Sequence, residues 1–177
     1  MAASSWPASI AEVLASEGGF VDHPRDPGGA TNFGVTLAVF KQWRGTRHVS
    51  KNDLIRIEVA EVRAIYEALY WNVLHADELP HGVDHMIFDA GVNTGNRRAA
   101  VQVQRVAGMD VAQQDGVIGP RTLAAIRRHA PEVIIASLAR VHEAHYRSLG
   151  HFPTFGRGWL SRLERRIALA NELLREA

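Results

Sequence analysis

Apolar residues recur three and four positions apart along most of the chain, the spacing that places side chains on one face of an α-helix. A first helix is predicted after Pro7, with Ile10, Val13 and Leu14 on one face, and it ends at Gly18. Further helices are predicted to begin after Thr36, after Ser50 and at Pro120, and another is predicted to end at Gly108. A long helix is predicted from Pro131 to Gly150, and a last helix is predicted after a linker at 151–158. The pattern therefore predicts a mainly helical chain.

A single small β element interrupts this helical pattern. Residues 20–36 are rich in Gly and Pro, and the FGVT segment at the end of this stretch is typical of a small strand or hairpin. Directly downstream, Ser50 and Asp53 form a capping box with Asp in place of the usual Glu. The helix that this box opens is expected to run through Leu69. The fold class is thus mainly α, a helical bundle with a β-hairpin near residues 31–36.

Composition excludes several classes of protein. With 46% hydrophobic and 22% charged residues among 177, the chain is an ordinary globular protein that can bury a sizeable core. The absence of cysteine excludes disulfides, cysteine nucleophiles and zinc–thiolate sites. The chain contains no run of about 18 apolar residues, which is the length that a membrane-spanning helix needs. The first 19 residues carry no Lys or Arg, which argues against a secretory signal.

The net charge of +1 is unevenly distributed along the chain. Residues 1–88 hold 7 Lys and Arg against 11 Asp and Glu, a net −4, whereas residues 89–177 hold 13 against 8, a net +5. A basic half favours an anionic polymer as partner, and solvated helix faces are the alternative explanation. No nucleic-acid-binding motif is present. We therefore expect no nucleic-acid partner.

The turn-rich stretch also contains a candidate catalytic acid, Glu17. This residue is expected in the last turn of the first helix, where the carbonyl ends carry partial negative charge. Desolvation by Phe20 would add to that effect, and both raise the pKa of a carboxyl group. A glutamic acid that stays protonated near neutral pH can protonate the leaving oxygen of a glycoside, with Asp22 or Asp26 as the second carboxylate. An exposed Glu at a helix end beside a structural turn is the alternative.

The stretch EGGFVDHPRDPGGATNFGVT, residues 17–36, resembles the opening motif of glycoside hydrolase family 108, a family of phage endolysins and related bacterial muramidases. Residues 89–108 and 115–126 resemble the predicted peptidoglycan-binding segment of these proteins, and residues 155–163 resemble their closing Gly-Trp and Arg segment. The resemblance implies an α+β, lysozyme-like fold. It also implies a catalytic part at 1–86 and a helical, peptidoglycan-binding-like part at 87–177, packed as one globule.

The resemblance also assigns roles in catalysis. Glu17 matches the family's catalytic glutamate, which would act as the general acid. By a looser analogy with phage lysozymes, Asp26 would be the second carboxylate and Thr31 would position a water molecule. A turn-fixing role is the alternative for Asp26, because Asp before Pro-Gly often bonds its own backbone.

Five further residues are candidates for substrate binding. Asn32 would line the cleft beside Thr31. Asp89 and Asn93 lie four positions apart, so a helix would place both on one side, where they suit the N-acetyl and hydroxyl groups of sugars. Tyr66 and Trp159 offer aromatic surfaces for sugar rings. The alternatives are turn formation for Asn32, helix capping for Asp89 and Asn93, and burial in the core for the two aromatic residues.

The implied activity is that of an endolysin that hydrolyses the β-1,4 MurNAc–GlcNAc bond of peptidoglycan. A lytic transglycosylase and a non-catalytic peptidoglycan-binding protein are the alternatives. No metal or other cofactor is expected, since the histidine pairs His81/His85 and His142/His145 lack a third ligand. We expect a monomer without stable membrane insertion. It would be stored in the host cytoplasm, released by a holin and active on the cell wall in the periplasm.

Overall fold

The computed structural model describes residues 4–22 and 29–177, and these residues form two compact units. The small unit is Ile10–Leu69, and the large unit combines Met1–Ser9 with Tyr70–Ala177. The α-helices are α1 (Trp6–Ser16), α2 (Leu37–Trp43), α3 (Lys51–Ile55), α4 (Val59–Tyr66), α5 (Val83–Thr94), α6 (Asn96–Val106), α7 (Pro120–Ile126), α8 (Pro131–Ser148) and α9 (Phe152–Arg175). A π-helical turn, Glu67–Trp71, follows α4.

A two-stranded antiparallel sheet lies in the small unit. Strand β1 (Thr31–Asn32) pairs with β2 (Val35–Thr36), so that Thr31 faces Thr36 and Asn32 faces Val35. The Thr36 side chain accepts a hydrogen bond from the Val39 backbone and thereby caps the start of α2. The predicted fold class, mainly α with a hairpin near residues 31–36, is confirmed.

Helix α5 lies at the centre of the large unit. Every residue from Val83 to Gly91 is buried, as in a helix covered on all sides. Helices α6 and α9 pack on α5, and α8 packs on all three of these helices. The apolar core of the unit includes Met86, Val103 and Leu138, each 1% exposed or less. Most of its side chains come from the five helices α5 to α9, so this unit holds a conventional buried core.

The structure confirms some local predictions and corrects others. The capping box at Ser50 and Asp53 is present, with both reciprocal hydrogen bonds. The prediction of one helix from Ser50 to Leu69 is wrong, because α3 ends at Ile55 and α4 begins at Val59. Helical spacing of the apolar residues continues across this break, which explains the error.

The predicted linker at 151–158 is also wrong. Helix α9 begins at Phe152 and includes the two glycines of this segment. Pro153 is tolerated because it occupies the first turn, where a backbone N–H has no helical partner. Gly156 is buried against the Phe152 ring, which a Cβ would approach to 2.6 Å. The glycine therefore serves packing and does not end the helix.

The predicted boundary between residues 86 and 87 falls inside α5, so the functional division into 1–86 and 87–177 stays a prediction. Within the described residues, no helix is both long and apolar enough to cross a membrane.

Candidate active site around Glu17

Glu17 directly follows the last residue of α1. Its backbone N–H donates to the Val13 carbonyl at 3.1 Å, which continues the helical hydrogen-bond pattern by one residue. The side chain is partly buried. The prediction that Glu17 sits at the carbonyl end of the first helix is therefore confirmed, and α1 fixes the point from which the carboxylate projects.

The hairpin turn between β1 and β2 lies next to this carboxylate. The turn consists of Phe33 and Gly34, which both have positive φ, 49° and 73°. Positive φ at both central residues is the geometry that joins two antiparallel strands most tightly. The Tyr66 hydroxyl, from the end of α4, donates to the Phe33 carbonyl at 2.9 Å and holds the turn in place.

Gly34 is the position where the carboxylate and the turn meet. A Cβ at Gly34 would lie 2.8 Å from Oε2 of Glu17 and still closer to the hydroxyl oxygen of Tyr66. Both polar groups thus approach the same face of one backbone atom, and they can do so because glycine has no side chain. The arrangement brings together a predicted catalytic residue and a predicted binding residue, Glu17 and Tyr66.

Thr31 is held beside the hairpin by its backbone. Its N–H and C=O both bond to Val21, each at 2.8 Å, and on its other side it pairs with Thr36. Residues directly opposite each other in such a ladder share a face of the sheet. Asp26, the predicted second carboxylate, lies outside the described residues.

Asn32 has a clear structural task. The side chain is 4% exposed, and its amide nitrogen donates to the Leu54 and Ile55 carbonyls at 3.0 and 3.2 Å. Carbonyls in the last turn of a helix lack helical partners, so Asn32 supplies the bonds that the end of α3 needs. These bonds account for an asparagine at this position without a bound sugar. The predicted role in substrate binding stays a prediction.

Tyr66 is likewise occupied by the fold. The residue is 3% exposed, which leaves no ring face for a sugar to stack on. Its hydroxyl group donates to the Phe33 carbonyl and, like the Glu17 carboxylate, lies next to Gly34. Tyr66 thus holds the hairpin turn that lies beside the candidate acid.

Asp89 and Asn93 lie in the large unit, on one side of α5 as predicted. The Asn93 amide donates to the Asp89 carboxylate and to its carbonyl, both at 2.7 Å. Arg166 of α9 donates to Oδ2 of Asp89 at 2.6 Å, and Arg162 donates to Oδ1 at 3.1 Å. Asp89 and Arg166 are 3% and 1% exposed, so the carboxylate is neutralised inside the core.

His142 extends this buried network, whereas neither ring nitrogen of the buried His85 has a hydrogen-bond partner among the described residues. Arg166 can only donate, so Nδ1 of His142 accepts its hydrogen bond at 2.9 Å, and Nε2–H donates to Gln102 at 3.0 Å. Burial and the Arg166 charge lower the pKa of His142 to about 3. Burial lowers the pKa of His85 to about 4. Burial opposes ionisation of Asp89, but Arg166 and Arg162 outweigh it and hold the pKa of Asp89 below its usual value.

Trp159 belongs to an aromatic strip formed with Tyr146 and Phe155 on α8 and α9. Its ring centroid lies 5.8 Å from that of Tyr146 and 6.0 Å from that of Phe155. Phe155 is 55% exposed, and Trp159 is partly buried. The strip therefore presents aromatic surface to solvent.

Among residues 4–22 and 29–177, no group of three or more His, Asp or Glu side chains is arranged to hold a metal ion.

Sequence reasoning missed Gly34 and Arg166. The Phe-Gly pair between two short β-prone segments could have indicated a tight turn with positive φ. No local signal could have indicated that Arg166 neutralises Asp89, which lies 77 positions away in the sequence.

Two family models match consecutive segments of the chain. A family model described as Glycosyl hydrolase 108 matches residues 10–95, and a model described as Predicted Peptidoglycan domain matches residues 98–164. The solved structure of Brucella abortus SagA is 43% identical, covers 97% of this chain and 96% of its own, and superposes with a TM-score of 0.83. The chain belongs to glycosyl hydrolase family 108. A comparison with curated proteins gave no match.

Family membership confirms the resemblance seen in the sequence motifs. The family-108 segment contains Glu17, the hairpin and Tyr66, and the second segment begins in α6 and ends within α9. The protein is therefore a glycoside hydrolase with a lysozyme-like, mainly α fold. Its peptidoglycan domain makes it a cell-wall hydrolase whose substrate is peptidoglycan.

Proposed function

We propose that this hydrolase is an N-acetylmuramidase that cleaves the β-1,4 bond between MurNAc and GlcNAc, with Glu17 as general acid. The observation that carries the proposal is the meeting of Glu17 and Tyr66 at Gly34. Glu17 carries a partly buried carboxyl group at the carbonyl end of α1. Such a group can donate a proton to the oxygen that leaves the sugar.

The remaining steps need a second group opposite the acid. As the leaving oxygen takes the proton, positive charge develops on the sugar ring, and a carboxylate stabilises it or directs a water molecule. We assign this role to Asp26 and the positioning of the water to Thr31. The double backbone bond of Thr31 to Val21 supports the second assignment, since a positioning group must be held firmly.

Aromatic surface for the glycan strand comes from Trp159. The partly buried indole, flanked by Tyr146 and Phe155, suits the apolar face of a sugar ring. Asp89 and Asn93 act on this surface indirectly in our proposal, since Asp89 anchors Arg166, which reaches the Tyr146 hydroxyl at 3.4 Å. No cofactor is needed for this chemistry.

The test is mass spectrometry of fragments released from purified Gram-negative sacculi by the wild type and by Glu17→Gln. Fragments with a reducing-end MurNAc that disappear in the variant support a muramidase with Glu17 as acid. Anhydro-MurNAc ends would instead identify a lytic transglycosylase. Equal release by both proteins would remove Glu17 from catalysis. Binding to sacculi without release by either protein would make the chain a wall-binding protein.

For the biological role, we propose a monomeric phage endolysin that waits in the host cytoplasm and reaches the periplasm through a holin. A bacterial cell-wall muramidase is the second candidate, favoured by the similarity to a protein of Brucella abortus. Expression in a Gram-negative host with and without a holin separates the two. The endolysin role requires lysis that depends on both the holin and Glu17, and sedimentation equilibrium tests the monomer.

A further inference from the structure

A groove between α6 and α8 of the large unit has a chemical character of its own. It encloses about 500 Å³. Its lining includes the apolar Val101 and Val141, and Arg98, Arg105 and His145 are among its polar residues. Both arginines are exposed, so their guanidinium groups are accessible to a ligand. The groove is therefore wide enough for a small peptide and is bounded by cationic groups.

The polar groups in the groove are suited to donate hydrogen bonds. Arg98 and Arg105 carry guanidinium groups, which have no acceptor. The carboxamide oxygen of Gln102 already accepts from His142, so its NH2 group is what remains for a ligand. The Ser148 hydroxyl has its one proton in a bond to a backbone carbonyl of α8, so it adds no donor for a ligand. A ligand that supplies acceptors, above all charged ones, matches this set.

Charge points in the same direction. None of the described residues that line the groove is acidic. Arg98 contacts a ring nitrogen of His145 at 3.5 Å, and this contact neutralises no charge. Among the described residues, neither Arg98 nor Arg105 forms an ion pair. The acidic Glu143 on α8 is already paired with Arg147 at 2.7 Å. Two guanidinium groups thus lack a carboxylate that the protein itself could supply.

The substrate of this enzyme has such carboxylates. All the residues that line the groove lie within 98–164, the segment matched by the peptidoglycan domain. Peptidoglycan carries short peptides with free carboxylates, and guanidinium groups bind carboxylates in a paired, two-bond geometry. We infer that the groove between α6 and α8 binds carboxylates of the peptide stem. This inference rests on the proposed action on peptidoglycan, but it assigns a task to residues that take no part in bond cleavage.

The test is calorimetric titration of the full-length protein with the synthetic stem peptide L-Ala-γ-D-Glu-meso-diaminopimelate-D-Ala. Because each arginine would make charge-assisted bonds, Arg98→Glu and Arg105→Glu should each weaken binding about tenfold or more. Amidation of the peptide carboxylates should weaken binding to the wild type to the same degree. Arg140→Glu is the matched control, since Arg140 is exposed on α8 but does not line the groove. This control should bind within twofold of the wild type.

Several results would overturn the inference. These are an absence of peptide binding by the wild type, equal binding by the groove variants, or binding of duplex DNA by the groove in place of the peptide. Melting curves establish whether each variant is folded. If Arg98→Glu does not fold, Arg105→Glu alone tests the groove. Fragment release by the wild type and by Glu17→Gln is measured in parallel. If the wild type releases fragments normally and the groove variants bind the peptide as the wild type does, only the inferred peptide-binding groove is rejected. If the peptide binds as expected but no fragments are released, only the proposed catalysis is rejected.

Discussion

Replacement of Gly34 by alanine tests the proposed catalytic geometry most directly. The backbone at Gly34 has φ = 73°, a conformation that costs an L-residue roughly 1–2 kcal/mol. The added methyl group would also sit 2.8 Å from Oε2 of Glu17, well inside the roughly 3.5 Å at which such atoms rest comfortably. The carboxylate and the Tyr66 hydroxyl must therefore move. A displacement of roughly 1 Å at a reacting group can cost about 100-fold in rate.

Gly45→Ala is the matched control for this experiment. Gly45 lies in the same unit with φ = 63°, and a Cβ there would meet no atom within 4 Å. Both variants should lose roughly 1–2 kcal/mol in free energy of unfolding for the shared backbone strain. Only Gly34→Ala should lose activity, by about 10- to 100-fold in kcat/KM, a loss of about 1.4 to 2.7 kcal/mol in transition-state stabilisation.

The assay is the release of reducing ends from purified sacculi, at a temperature where circular dichroism shows both variants to be folded. The reasoning fails if Gly34→Ala keeps more than half of the wild-type kcat/KM. It also fails if Gly45→Ala loses as much activity as Gly34→Ala, because backbone strain alone would then explain the effect.

Two further predictions concern stability, both measured by urea unfolding. Asp89→Asn should lose about 3–5 kcal/mol, because it leaves Arg166 buried without its partner, whereas Asp22→Asn, which breaks an exposed pair with Lys51, should lose at most about 1 kcal/mol. Equal losses would contradict the buried network. For His85, the folded pKa of about 4 lies below the unfolded 6.5, so stability falls as pH drops below 6.5. His85→Phe should therefore lose about 2 kcal/mol less than the wild type between pH 7.5 and pH 5, and an unchanged pH dependence would refute this.

The helices were largely predictable from the sequence because their signals are local. Pro120 and Pro131 occupy the first turns of α7 and α8, and Ser50 with Asp53 forms the capping box of α3. Each signal acts within a few residues of the helix end that it marks. The linker at 151–158 was mispredicted since two glycines and a proline usually break helices. Contact between Gly156 and the Phe152 ring gives that segment a packed helical conformation instead.

The candidate site was predictable only in part. Glu17 was recognised from its motif, and its place at the end of α1 followed from local pattern. The contacts that hold it could not be foreseen, because they join residues far apart in the chain. Its helical spacing predicts that Tyr66 is a core residue, and the residue is indeed buried. Its hydroxyl also donates to the Phe33 carbonyl, 33 positions away in the sequence. A single sequence contains no record of that pairing.

The hairpin beside Glu17 cannot owe its geometry to its own strands, which are two residues each and too short to be stable alone. Three sets of hydrogen bonds to other parts of the small unit hold it. Val21 pairs with Thr31, Asn32 bonds the end of α3, and Tyr66 bonds the turn at Phe33. Because no two of these ties come from the same element, loss of one leaves the other two in place. The position of the hairpin beside Glu17 therefore depends on residues throughout the small unit. Residues without any contact to the glycan should accordingly affect the rate of glycan cleavage.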